Sequence, residues 1–405
     1  MMNNIKNWYQ YNILSYLIFL LPFFYLIGQG VFNSIFHLLC LLGMLFFFKE
    51  FRVKQIDKFY LIYTLLIFSL VLTSLFRVGD KYIIEALLQT KYLFWIYLVL
   101  FLVNKVKIDF LAIKILYLIF ILILSFILFH SIYQILNFDS SYGDSFVGYR
   151  LYLPFTDEQI LGYYSFFILP SLLFFTSILK KTIFTKMFIT VSVLVVIIFS
   201  GERSALLSIL IFISIYSFYA MGKIRRILSF LIYSVILSLL VIQIMPNEKI
   251  NEYKFRIFQT VNEVKSIEKT SYFKHYYTSI EIFKDNIFIG SGINSYRDIC
   301  KNPKYDFIAT EKDRCRTHPH HMHLQILSEA GIINYILYLF IFIIILKKIY
   351  QSSLSKENKI LFITYIMILL FPFKPTGNFY SSLYGGVLWY QIGLFLFLSK
   401  YKLKI

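Results

Sequence analysis

Apolar residues in this chain gather in blocks separated by short polar or basic stretches, rather than recurring singly at core spacing. The blocks run about 16–25 residues, which matches a hydrocarbon layer of roughly 30 Å at about 1.5 Å per helical residue. One or two such blocks would suit buried helices of a soluble protein; a dozen would not. The pattern predicts spans at about 13–28, 31–48, 59–76, 84–103, 110–136, 160–179, 187–201, 204–221, 227–245, 323–346, 360–373 and 385–399. Gln89, Thr90 and Lys91 interrupt the fourth, and the seventh is short. The fold class expected is all-α: a polytopic transmembrane bundle of about 12 spans with one large loop containing short helices. The chain divides into spans one to nine (1–245), the loop (246–322) and spans ten to twelve (323–405). The first block begins near Ile13 and leads into further spans, not into a small-residue cleavage site, so it reads as a retained helix.

Charge fixes the expected orientation. Of the 405 residues only 15% are charged and 59% are hydrophobic, where a soluble chain would be about a quarter charged. The net charge of +18 is not a nucleic-acid footprint, because no basic stripe lies on one solvated face. Its cations cluster instead between spans, as in Lys49–Lys58, Lys105 and Lys107, Lys180–Lys186, Lys223–Arg226, Lys347–Lys359 and Lys400–Lys404. These clusters follow every second span, which places both termini in the cytoplasm under the positive-inside rule. The segments left outside are 137–159, 246–322 and 373–386. Membrane lipids are the expected surroundings and no nucleic acid is a partner.

Within the large loop, Phe273, Tyr276, Tyr277, Ile280 and Phe283 recur at helical spacing, with Lys274, Thr278, Glu281 and Asp285 on the other side. The segment 271–285 is a helix lying in the outer interface or a helix of a small extramembrane subdomain. Gly290-Ser291-Gly292 ends it. Cys300 and Cys315 lie fifteen positions apart in the same loop, and an oxidising periplasm would join them in a disulfide. Cys40 falls inside a span and reads as packing.

Four stretches could carry chemistry. Ser200-Gly201-Glu202-Arg203-Ser204 puts a guanidinium at a span boundary, where it either meets an anionic group or snorkels from an ordinary turn. Thr317-His318-Pro319-His320-His321-Met322-His323 holds four of the chain's seven histidines within six positions. Such a cluster moves protons, binds anions or holds metal, although no standard set of metal ligands accompanies it. Arg150, Asp157 and Glu158 precede Gly162 at the mouth of span six, as solvated residues or contacts to sugar hydroxyls. Lys374, in the turn Lys374-Pro375-Thr376-Gly377-Asn378, runs against the charge bias and suggests an anionic ligand. No phosphate-binding glycine loop, metalloprotease motif or paired ATPase signature is present, which excludes ATP-driven work.

In this order the pieces resemble the O-antigen ligase/polymerase family of envelope glycosyltransferases, from about Arg150 to Leu394. The strongest match is His318 to Gly331, which is similar to a family pattern of His-Pro-His-Asn, an aromatic, Leu-Gln, and a Gly eleven positions after the second His. Here His321 stands in the Asn place, and Lys274 stands where a loop arginine is common. The resemblance implies a glycosyltransferase of the bacterial inner membrane with its active site facing the periplasm and no metal or other cofactor. Its donor would be an undecaprenyl-diphosphate-linked glycan, and its acceptor lipid A-core (a ligase) or a second lipid-linked glycan (a polymerase). It implies catalytic roles for His320, as base, and Arg203, toward the diphosphate. Substrate contacts would fall to Lys274, His318, His321, Arg150, Asp157, Glu158 and Lys374. The rival from another class is a glycolipid transporter or flippase. Transporters concentrate ionisable groups at mid-membrane or in two matching halves, whereas the polar residues here gather on one side.

Overall fold

The computed structural model describes residues 16–50, 58–77, 90–103, 110–136, 150–155, 159–221 and 247–400, with single positions at 88 and between 232 and 245. Among these residues every regular element is helical. In chain order they are α1 (Tyr16–Ile27), α2 (Gln29–Glu50), α3 (Lys58–Arg77), α4 (Trp95–Val103) and α5 (Phe110–Leu136). Next come α6 (Leu161–Ile178), α7 (Ile183–Ser200), α8 (Arg203–Met221), α9 (Asn247–Lys265) and α10 (Ser271–Asp285). The last are α11 (Tyr296–Ile299), α12 (Glu311–Arg314), α13 (Met322–Gln351), α14 (Lys356–Leu369) and α15 (Val387–Lys400). By length and composition α5, α6, α7 and α13 can each cross a membrane, and α1, α2, α3, α8 and α15 contain shorter apolar stretches. These apolar helices mark an integral membrane protein. Most of the span expected at 227–245, and the start of the one at 84–103, lie outside the described residues.

The polar interruption expected in span four is visible as a tight 3-10 turn, Lys91–Phe94, ahead of α4. Span ten is longer than its apolar block, because Lys347 and Lys348 continue α13 to Gln351 while their heads can reach out of an apolar layer.

Two compact units emerge. The first comprises residues 1–32, 106–262 and 354–370. Its centre is α6, almost wholly buried against α5, α7 and α14. Phe166 stacks on Tyr365 at 4.9 Å and Phe174 on Phe362 at 5.3 Å. Tyr164 donates to the Pro22 carbonyl at 2.6 Å, giving its hydroxyl a partner inside an apolar layer. A polar cluster at the other end of α6 pairs Lys186 with Glu357, which also accepts from Tyr216 at 2.6 Å. α5 keeps an outward stripe of Leu111, Leu118, Leu122 and Phe129, the face that a lipid-exposed span presents.

The second unit comprises 33–105, 263–353 and 371–405. α4 lies along α15, where Gly393 leaves room for the Trp95 indole, and α3 packs on α13, where Asn334 donates to Thr73 at 3.1 Å. α10 also docks on α13. The stripe it buries is His275, Thr278, Ser279 and Ile282, leaving Phe273 and Tyr277 outward. The seal therefore mixes polar His275, Thr278 and Ser279 at i, i+3 and i+4 with apolar Ile282 at i+7, and Ser279 donates to the Leu324 carbonyl at 3.0 Å.

Toward its N-terminal end α13 is broken. Gly331 has φ 79 and ψ 176, a conformation essentially restricted to glycine. Carbonyls and amides that the helix leaves unpaired there are taken up by residues 287–292. Ser291 N–H donates to Ser328 O (2.9 Å), Gly292 N–H to Glu329 O (2.8 Å) and Ile332 N–H to Ile287 O (2.8 Å). A Cβ on Gly331 would overlap the Phe288 carbonyl, and one on Gly290 the Glu329 carbonyl. The two glycines are what let the chains approach.

Candidate functional site

In the first unit three of the stretches singled out from sequence converge. Leu151 N–H donates to the Ser200 carbonyl at 3.3 Å, laying the Arg150 segment along the Ser200–Arg203 turn. Glu202 is buried and accepts from the Gly162 and Tyr163 amides at 2.6 and 3.2 Å, so its carboxylate closes the start of α6. Burial raises its pKa to about 7, against the pull of the Gly162 amide and of Arg150 nearby. Arg203 opens α8, half-buried, and donates to the Thr260 hydroxyl of α9 at 3.1 Å. Asp157 and Glu158 lie outside the described residues.

The second unit gathers the histidine segment, α10 and the 371–381 turn. His318, His320 and His275 form one cluster, with ring centroids 4.1 Å apart for His318 and His320 and 5.7 Å for His275 and His320. Tyr272 meets the His320 ring edge-on at 5.6 Å. Neither nitrogen of His275 and not Nε2 of His318 has a hydrogen-bond partner among the described residues. Burial pushes His275 down to about 4, with the His320 and Arg316 charges adding to it and Asp313 opposing. Burial and then His320 take His318 to about 3. His320 is lowered by burial and by Arg316. Burial disfavours the charged form of all three rings, with His320 repelling the other two and Arg316 repelling His320.

His321 has a different task. Its Nδ1 accepts from Leu324 N–H at 3.3 Å, capping α13, and its Nε2 lies 2.7 Å from the Pro372 carbonyl. A carbonyl can only accept, so Nε2 carries the proton and the ring is neutral with both nitrogens engaged. His323 lies buried in α13 with Nδ1 3.2 Å from the Tyr335 hydroxyl. Lys274 is ion-paired with Asp313 at 2.9 Å, and Lys374 is buried, its ammonium lowered to about 7 by that burial. Among the described residues no three His, Cys, Asp or Glu side chains are grouped to hold a metal ion.

Sequence reasoning passed over the groups that hold this cluster. Gln325 donates to Asn378 at 2.8 Å and to Glu329 at 3.1 Å, and accepts from Phe379 N–H at 2.9 Å, tying the 371–381 turn to α13. Glu329 also accepts from the Tyr296 amide at 2.9 Å. His275 is not on either face singled out from the sequence of α10, although it is buried. Arg314 is buried and donates to the carbonyls of Cys300, Ala309 and Asn302 while pairing with Asp306 at 2.7 Å. Beside it Cys300 and Cys315 are joined in a disulfide with Cα atoms 5.4 Å apart. Mass spectrometry of unreduced peptides should recover Cys300 linked to Cys315, and two free thiols would refute the bond.

The fold and site together define a polytopic helical membrane protein with a buried imidazole cluster next to its apolar helices. Residues 188–339 match the family model described as O-antigen ligase. The match takes in Arg203, Lys274, the disulfide and the histidine segment, and stops short of Arg150 and Lys374. No curated protein matches the chain.

Proposed function

We propose that this chain is an inner-membrane glycosyltransferase that moves an undecaprenyl-diphosphate-linked glycan onto lipid A-core at the periplasmic face, an O-antigen ligase. The observation that carries the reading is the imidazole cluster around His320, set in a stretch that matches the O-antigen ligase family model. The twelve-span topology read from the charge pattern puts the cluster on the outer side, where a flipped lipid-linked donor presents its diphosphate. The division into 1–245, 246–322 and 323–405 is the topological frame of this proposal.

In the mechanism, His320 takes the proton from the acceptor hydroxyl as that oxygen attacks the anomeric carbon, and the bond to the diphosphate breaks. A single displacement inverts the anomeric centre. Arg203 neutralises the charge gained by the leaving diphosphate, a role that suits a guanidinium. Arg150, Lys274, His318, His321 and Lys374, with Asp157 and Glu158, are the proposed substrate contacts. Lys274 would exchange its pairing with Asp313 for the ligand.

A deletion strain complemented with variants tests the assignment. Arg203→Ala should lower surface glycan by about 10²–10³-fold at unchanged membrane level, the loss typical of removing one electrostatic stabiliser. Wild-type glycan in this variant would remove Arg203 from the mechanism. The deletion itself should leave lipid A-core bare; a single repeat on lipid A-core would mark a polymerase, and an unchanged surface would defeat the family function altogether.

A further inference from the structure

His320 adopts φ 55, a left-handed conformation that costs a residue with a side chain energy and persists only where its surroundings impose it. The restraint comes from one residue on another segment. Thr376 N–H donates to the His320 carbonyl at 2.9 Å, and the Thr376 hydroxyl accepts from Met322 N–H at 2.6 Å. Thr376 thereby grips the backbone on both sides of His321, with the strained residue on one side and the first residue of α13 on the other. The Tyr276 hydroxyl adds a longer contact to the same His320 carbonyl, at 3.5 Å. The turn that carries Thr376 is itself fixed, because Asn378 is held by Gln325 and accepts from Tyr380 N–H at 2.9 Å.

We infer that Thr376 is a positioning residue for the transfer reaction: its two hydrogen bonds hold His320 in the left-handed conformation that seats its ring between His318, His275 and Tyr272. The inference rests on the reading of His320 as the base. Thr376 lies outside the stretch that matches the family model. Without the hydroxyl the Met322 amide, buried at the start of α13, loses its acceptor, and His320 can relax toward the ordinary right-handed region. A ring displaced by about 1 Å from the acceptor hydroxyl costs on the order of a hundredfold in rate.

Thr376→Val keeps the shape and the backbone N–H and removes only the hydroxyl, whereas Thr376→Ser keeps the hydroxyl. Two readouts are taken on the full chain: surface glycan in the complemented deletion strain, and the rate at which diethyl pyrocarbonate modifies His320, followed by peptide mass spectrometry. Expected for Thr376→Val is a loss of glycan of about tenfold or more with a changed His320 modification rate, and for Thr376→Ser a return of both to wild type. If Thr376→Val fails to accumulate in the membrane, the smaller Thr376→Ala is read in its place. A wild-type modification rate in the hydroxyl-free variant overturns the inference, as does a Ser variant that fails to restore activity. Full activity of His320→Ala would instead overturn the catalytic reading, while the modification rate would still judge whether Thr376 holds the ring.

Discussion

His320→Ala should reduce glycan transfer by about 10²–10⁴-fold, the contribution of a positioned general base, while leaving the protein in the membrane at its normal level. The ring is half-buried and caps no helix, so its removal takes away chemistry more than structure. The pH profile provides a second check on the same group. A base acts when unprotonated, and burial with the nearby Arg316 holds His320 below its ordinary value of 6.5. Activity should therefore persist as pH falls past 6.5 and be lost only when the lowered value is reached. An acid limb above 6.5 would show that another group is the base, and an active His320→Ala would remove the residue from catalysis.

Gly331→Ala should be strongly destabilising, because strain and overlap act together there. An ordinary residue at φ 79 and ψ 176 costs about 1–3 kcal/mol in backbone strain alone. The methyl also overlaps the Phe288 carbonyl, and relief would have to part the backbone bonds joining 287–292 to α13. The purified variant should melt several degrees below wild type in detergent, or fail to accumulate. A variant that melts with the wild type would mean that the break in α13 is not held by glycine.

Much of the helical frame was legible in the sequence, because hydrocarbon thickness sets a length that composition alone can satisfy. The span read at 110–136 coincides with α5, that at 160–179 exceeds α6 by one residue at each end, and that at 204–221 misses only the first residue of α8. The interruption at Gln89–Lys91 also had a structural counterpart in the 3-10 turn. Contacts between segments distant in sequence were not legible. Nothing in the local pattern announces that Asn378 meets Gln325, that Thr376 spans His321, or that Gly290 faces Gly331. Helix 271–285 shows why. Its aromatic residues dominate a hydrophobicity count, yet the face it seals is built of His275, Thr278 and Ser279, since close helix contact favours small groups able to hydrogen-bond across the seam. Of the candidate chemistry, the histidine segment and the Glu202–Arg203 turn stood out because charge and imidazole are conspicuous beside apolar blocks. The buried Arg314 did not, because a cation in a polar loop looks solvated until the carbonyls around it are known.

The interruption of α13 has a mechanical consequence. Residues 322–330 continue the rod that begins at the histidine cap, yet their exposed carbonyls are laced to 287–292, and Gln325 and Glu329 bind the turn at 378 and the start of α11. The N-terminal third of this rod is thus tied to the disulfide-closed segment, and since Ile332 N–H also donates to Ile287 O, one stretch of backbone splints α13 on both sides of the break at Gly331.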